Sequence, residues 1–214
     1  MRHAIFADIH SHTAALQAVL THAAGQHIDG YFCLGDVGLD DCAQLVRGVG
    51  APAVFGNWEV DGWRHLNHEN RRWALALPPV LRQPAFWLTH AAPLWPPEFA
   101  GLSDYLANRH AAPMSQLFPY LHQESPALWQ TLAHLAAAGV PLLFHGHTHR
   151  QVVWRFTADN RLEKVAGRFV ALTPGHTLVV GVGSVGRPLD SPAPAYAIYD
   201  DAARTVELVR VPRP

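Results

Sequence analysis

The sequence predicts an α/β protein in which a helix-covered sheet packs against a second sheet to form a sandwich. Two observations carry this. Up to His90, short apolar runs alternate with segments of helical spacing, and each run ends in a polar residue. Beyond Arg150 only short strand-like runs remain, separated by the turn signals Asp159-Asn160, Gly167 and Asp201.

His3-Ala4-Ile5-Phe6-Ala7 reads as a strand that delivers Asp8-Ile9-His10 to its C-terminal end. Helical spacing follows from Ala14 to Leu20, with Thr13 or Ser11 as N-cap and Gly25 as the stop. Tyr31-Phe32-Cys33-Leu34 is a second buried strand, ending in Gly35-Asp36. A helix then opens on Asp40 and Asp41 and runs through Arg47 to Gly48. Ala53-Val54-Phe55 is a third strand, ending in Gly56-Asn57-Trp58-Glu59. Residues 62–77 predict one helix with Trp63, Leu66, Trp73 and Leu77 on its apolar face, stopped by Pro78-Pro79. Ala85-Phe86-Trp87-Leu88-Thr89 is a fourth strand, ending in His90. Residues 91–139 form a proline-punctuated helical insert whose last helix starts at Ser125 or Pro126 and closes at Gly139.

Leu142-Leu143-Phe144 then reads as a buried strand that breaks at Gly146, a glycine flanked by imidazoles. The runs Val152–Phe156, Arg161–Val165, Phe169–Leu172, Thr177–Val182, Ala195–Tyr199 and Thr205–Val211 are expected to build the second sheet.

The chain has 214 residues, 49% hydrophobic and 15% charged, which fits one domain spanning 1–214. A formal net charge of −1 leaves no electrostatic footprint for nucleic acid or an anionic membrane. A small-molecule partner is therefore expected, with no stable nucleic-acid or membrane binding; oligomeric state stays open. Cys33 and Cys42 read as reduced core thiols. No signal-like opening and no apolar run of about 18 residues are present, so a cytoplasmic location is expected.

Seven residues at strand ends are good oxygen or nitrogen donors: Asp8, His10, Asp36, Asn57, His90, His147 and His149. A strand-like backbone would aim Asp8 and His10 to one side, and His147 and His149 likewise. Seven donors suit two metal ions that share one carboxylate and keep positions open to water. Each residue taken singly also fits a structural role, in a chain with 15 histidines. The segment from Gly181 to Gly186 lacks a Walker lysine and a following helix, so it reads as a loop near the site.

Asp8-x-His10, Gly35-Asp36, Gly56-Asn57-x-Glu59, His90 and Gly146-His147-x-His149 resemble, in order, the five motifs of calcineurin-like metallophosphoesterases. Ala7-Asp8-Ile9-His10, Cys33-Leu34-Gly35-Asp36-Val37 and Gly183-Ser184-Val185-Gly186-Arg187-Pro188 extend the resemblance to small bacterial phosphodiesterase-like members. The resemblance implies a four-layer α-β-β-α sandwich of two mixed sheets flanked by helices. It implies one metal held by Asp8, His10, Asp36 and His149, and a second held by Asp36, Asn57, His90 and His147. A hydroxide between them would attack phosphorus, which gives Asp36, Asn57 and His90 catalytic roles. Four imidazoles favour divalent transition ions over magnesium: manganese foremost, with iron, zinc or nickel as alternatives.

Two positions depart from the family pattern. Monoester phosphatases of this family usually carry histidine after the asparagine of the third motif, where it can protonate the leaving group; here the residue is Trp58. Losing a general acid costs about 10²–10⁴-fold for a poor leaving group, which leans the expectation toward phosphodiesters, nucleotide-type or aryl, over monoesters. His12 stands where the family has asparagine and is a candidate alternative acid, against an exposed helix-start histidine. Trp58 could stack on a base or aryl group, or pack in the core. Trp95, Phe99, Tyr105, Phe118 and Tyr120 are expected to form the core of the insert, with a lid over the site as the alternative. His145 could support a ligand from behind, and histidines 3, 22, 27, 65, 68, 110, 122, 134 and 176 read as mostly solvated.

Two competing readings remain. Asp8-Ile9-His10-Ser11-His12-Thr13 also resembles the opening of the polymerase-and-histidinol-phosphatase family, which would require a barrel rhythm throughout. A non-catalytic scaffold of the metallophosphoesterase fold, binding a protein partner, is the other.

Overall fold

The computed structural model describes residues 1–110 and 112–213. The first half contains β1 (Arg2–Phe6), α1 (Thr13–Ala24), β2 (Gly30–Cys33), α2 (Asp40–Gly48), α3 (Asn57–Gly62), α4 (His68–Leu75), β3 (Val80–Arg82) and β4 (Trp87–Thr89). It continues with α5 (Leu102–Ala107), α6 (Met114–Leu117), α7 (Pro126–Ala138), β5 (Leu142–His145), β6 (Gln151–Phe156), β7 (Leu162–Val165), β8 (Phe169–Ala171), β9 (Thr177–Val182), β10 (Ala195–Asp200) and β11 (Thr205–Arg210).

Two mixed sheets face each other. One has the order β2-β1-β10-β11-β8, the other β3-β4-β5-β9-β6-β7. β1 pairs with β2 in parallel and with β10 antiparallel; β5 lies parallel to both β4 and β9. Strand alternation builds the layers. Ile5, Phe32, Phe144, Val180 and Tyr199 point into the space between the sheets. Ala4 and Phe6 face the opposite way, onto α1 and α2, while Leu143 and Val179 face α7 through Leu128, Leu132 and Leu135. Four layers result: helices, sheet, sheet, helix. This open sandwich excludes the barrel that the competing phosphatase family requires.

Four expectations need correction. The strands after Arg150 do not form a separate sheet: β6, β7 and β9 join β5, while β8, β10 and β11 join β1. Repetition of short strands signals sheet, yet local sequence carries no record of which sheet takes each one. The helix expected over 62–77 is broken, because Leu66 turns extended (ψ 152°) and buries itself. Asn67 then caps α4, its side chain accepting the Asn70 N–H at 2.9 Å. The third strand shrinks to one bridge, Cys33 to Ala53. At α1 neither Ser11 nor Thr13 caps: His12 occupies the N-cap without a side-chain bond, and the Ser11 hydroxyl instead accepts the Leu39 N–H at 3.0 Å.

Other details agree with the sequence. α7 begins on Pro126, capped by Ser125, and ends at Gly139 in the left-handed region (φ 67°). Both cysteines are free and buried. Among the described residues no helix is long and apolar enough to cross a membrane. Not every outlying histidine is solvated: the His22 Nδ1 meets the Tyr196 hydroxyl at 2.9 Å, and His3 packs on Phe32 and Phe86.

Phe144 joins the two sheets, with Phe86 and Tyr199 rings at 5.9 and 5.8 Å. Phe144→Ala is expected to cost about 3–5 kcal/mol, read as a lowered midpoint of urea unfolding.

Candidate metal centre

All seven donor residues gather at one rim of the sandwich. Asp8 and His10 follow β1, Asp36 follows β2, and Asn57 opens α3. His90 follows β4, and His147 and His149 follow β5. Since β1 and β2 belong to one sheet and β4 and β5 to the other, the site straddles both layers.

The backbone there is not strand-like. Asp8, His10, Asp36, His147 and His149 have φ of 55°, 50°, 53°, 62° and 54°, a left-handed region that costs a non-glycine residue roughly 1 kcal/mol or more. Strand alternation therefore does not set their directions. After Gly146 the chain turns, so His147 faces the His90 ring (centroids 5.2 Å apart) while His149 faces His10. The turn needs glycine at 146, where a Cβ would lie 2.6 Å from the Ala7 Cβ. Gly56 is needed for the same reason, a Cβ there falling 2.2 Å from Asp36 Oδ1.

Donor atoms of Asp8, His10, Asp36 and His149 all lie within 4.8 Å of one another. His10 Nε2 is 3.0 Å from His149 Nε2 and 3.6 Å from Asp36 Oδ2. His149 Nε2 is 3.6 Å from Asp8 Oδ1. On the other side, His90 Nε2 lies 3.5 Å from Asp36 Oδ1, 3.1 Å from Asn57 Oδ1 and 3.9 Å from Asp8 Oδ1.

Hydrogen bonds behind the rings decide which nitrogen is bare. His90 Nδ1 meets the Leu34 carbonyl at 2.6 Å and His149 Nδ1 meets the Arg187 carbonyl at 2.8 Å. A carbonyl only accepts, so both Nδ1 atoms carry the proton and both Nε2 atoms present lone pairs to the rim. There the lone pairs converge on carboxylate and amide oxygens. Asp8 Oδ2 and His147 Nε2 are buried with no hydrogen-bond partner among the described residues. Orphaned acceptors cost about 1–3 kcal/mol each; divalent cations at the rim would satisfy them, and the donor set fits such ions.

Burial dominates the electrostatics. It pushes the Asp8 carboxyl well above the usual range, with the charge of Asp36 adding to the effect, and it raises Asp36 too. Burial also lowers His10, His90 and His147 to about 3 and lowers His149, so the imidazoles are neutral, the form that binds metal.

Three supports were not assigned from sequence. The buried Glu59 carboxylate accepts the N–H groups of Asp36 (2.9 Å), Val37 (2.8 Å) and Gly56 (2.7 Å), tying the Asp36 turn to the Asn57 turn. Its spacing from Gly56 is that of a capping box, the signal that could have revealed it. Ser184 donates to the Asp8 carbonyl at 2.7 Å, and Gly186 N–H reaches the same oxygen at 3.0 Å. The glycine-rich loop thus clamps the end of β1, in keeping with a loop near the site. Arg187 follows it, exposed, and its positive charge reaches His10, Asp36 and His149.

The remaining candidates divide. His12 is exposed and lies against Gly186. Trp58 donates its backbone N–H to Asp36 Oδ1 at 2.7 Å, while its half-buried indole lies on Gly62, one turn along α3. His145 is buried, but its Nδ1 meets the neighbouring Gly146 carbonyl at 2.9 Å rather than a ligand ring, so it braces the turn. Phe99, Tyr105 and Phe118 are buried around Phe55, with Trp95 packed against them. Tyr120 separates from that group: it is exposed and stacks on His147 with centroids 4.5 Å apart.

The model of the calcineurin-like phosphoesterase superfamily domain matches residues 1–203. An uncharacterized protein of Methanocaldococcus jannaschii is 26% identical over 220 residues, covering 97% of this chain and 86% of its own. A crystal structure of a metallophosphoesterase from Sphaerobacter thermophilus superimposes with a TM-score of 0.73 at 24% identity, covering 100% of this chain and 90% of that one. A hypothetical protein from Pyrococcus horikoshii follows at 0.69 and 14% identity, covering 100% and 88%. At these identities the solved structures share the fold. With the family model spanning nearly its whole length, the chain belongs to the calcineurin-like phosphoesterase superfamily.

Proposed function

We propose that the protein is a dinuclear metal-dependent phosphoric ester hydrolase that prefers phosphodiesters to monoesters. Asp8, His10, Asp36 and His149 would hold one ion; Asp36, Asn57, His90 and His147 would hold the other. The observation that carries this is the placement of Asp36, whose Oδ2 faces His10 at 3.6 Å while its Oδ1 faces His90 at 3.5 Å. One carboxylate thus addresses two imidazole groups, the arrangement a shared ligand requires.

Two divalent ions at such a rim supply Lewis acidity at the phosphoryl oxygens and activate water near neutral pH. The chain's own residues supply the rest. Arg187, exposed and tied to His149 through its carbonyl, would hold a phosphoryl oxygen of the incoming ester. Asn57, fixed at the first turn of α3, orients the same group. Glu59 keeps Asp36 and Asn57 in register from beneath. His12 is the candidate proton donor for the leaving group on the exposed side. With Trp58 folded onto Gly62, position 58 offers no acid, which supports the lean toward diesters. Neutral imidazoles with carboxylates suit manganese, with iron, zinc or nickel on the same donors.

Stripping bound ions with a chelator and adding manganese at about a hundredfold over its dissociation constant should stabilise the fold by at least about 2.7 kcal/mol, the value for a single filled site. For a chain of this length that is a rise in Tm of about 5–11 °C, measured by calorimetry; an unchanged Tm would deny the site its metal.

Asp36→Asn removes the shared ligand and is expected to lower kcat on bis(4-nitrophenyl) phosphate by at least about 10²-fold, since losing even an outer partner of a ligand costs 10–100-fold. Near-normal turnover would rule out the two-metal arrangement. Trp58→His should raise the ratio of 4-nitrophenyl phosphate to diester turnover by about 10-fold or more. A constant ratio would take position 58 out of the selectivity.

A further inference from the structure

Most aromatic side chains of the insert are committed to packing. Phe118 is buried, and its ring meets His90 edge-on at 5.8 Å and His147 at 6.0 Å. Leu121 is fully buried, and its carbonyl accepts the Trp154 indole N–H at 2.8 Å. Between these two anchors stands Tyr120, with 56% of its surface open to solvent. One face of its ring lies on His147, nearly parallel at 24°. An exposed aromatic ring, pinned on both sides and stacked on a rim imidazole, does little for the core. It is well placed to contact whatever the rim binds.

We infer that Tyr120 is a specificity-determining residue: a stacking platform for the aromatic substituent of a phosphoester, either a nucleobase or an aryl ring. The inference rests on the phosphoesterase reading above and names the substrate class of the same site. Tyr120 flanks the half of the rim formed by His90 and His147. Arg187 lies at the other half, its carbonyl accepting from His149 Nδ1. A phosphoryl group over the rim would thus have the Arg187 loop at the His149 end and an aromatic surface at the His147 end. An ester with a flat substituent satisfies both; one with only alkyl groups leaves the tyrosine unused. Trp58, the aromatic residue nearest the asparagine in sequence, does not compete for this role, because its indole covers Gly62.

The test uses the manganese-loaded protein and three ligands with little or no turnover: phenylphosphonate, methylphosphonate and adenosine 5′-monophosphate, titrated by calorimetry. Stacking on an aromatic side chain should tighten the aromatic ligands about 10-fold relative to methylphosphonate. Tyr120→Ala should erase that advantage, Tyr120→Phe should keep it, and both variants should retain the metal content of the parent protein. An advantage for the nucleotide alone assigns the platform to nucleosides; an advantage for phenylphosphonate alone assigns it to aryl esters. Equal affinity for all three ligands in the parent protein overturns the inference, as does an advantage that survives in Tyr120→Ala. Turnover of bis(4-nitrophenyl) phosphate by the parent protein, measured alongside, separates the two levels. Hydrolysis without aromatic preference removes only the platform. Absence of hydrolysis of any phosphoester removes the underlying enzymatic reading, whatever the affinities show.

Discussion

Three carboxylates buried within a few residues' reach of one another are the constraint on which the rest depends. Asp8, Asp36 and Glu59 are all withdrawn from water, and among the described residues no lysine or arginine is buried beside them. Taking such groups out of solvent is expensive unless they are paired or hydrogen-bonded. Glu59 meets this with three backbone N–H donors. Asp8 and Asp36 receive one each, from His147 and Trp58, and also face the neutral imidazoles of His90 and His149, whose Nε2 atoms offer lone pairs rather than protons. The deficit points into the rim, where divalent cations would balance it. The left-handed backbone of five donor residues belongs to the same bargain: conformational energy is stored so that the donors converge.

Much of this was legible in the residues. The apolar runs ending in Asp8, Asp36 and His90 located the rim because a strand end is where a buried element must meet solvent. Glycines 35, 56 and 146 marked tight turns beside the donors, and all seven donors lie at one place. Less was legible where local pattern and long-range pairing part company. The strands after Arg150 are short and alike, so nothing in Val152–Phe156 or Ala195–Tyr199 announces which sheet receives it. The break at Leu66-Asn67 was hidden because Trp63, Leu66 and Trp73 keep helical spacing across it. The directions of His147 and His149 followed from a turn, whereas strand alternation would have aimed them together.

Selectivity and chemistry are written in different parts of the chain. The donors come from the ends of core strands, whose positions are set by the packing of two sheets. The surfaces that would meet the rest of a substrate under the proposed function come from connections: Tyr120 from the insert before α7, Arg187 and His12 from loops at the His149 end. Connections can change without disturbing the sandwich, so the proposed chemistry and its selectivity could vary separately. Trp58 illustrates the opposite case, a side chain next to the asparagine in sequence but turned onto its own helix.

The central position of β10 in the first sheet has a consequence for biosynthesis. It lies between β1 and β11, so that sheet stays split until residues 195–210 have been made. All seven donors are made earlier, by residue 149, yet the Ser184 clamp on Asp8 and the strand beside β1 arrive only afterwards. A nascent chain that stops short of Ala195 would therefore carry every donor without the completed sheet behind them, and capture of the proposed ions would wait for that sheet to close.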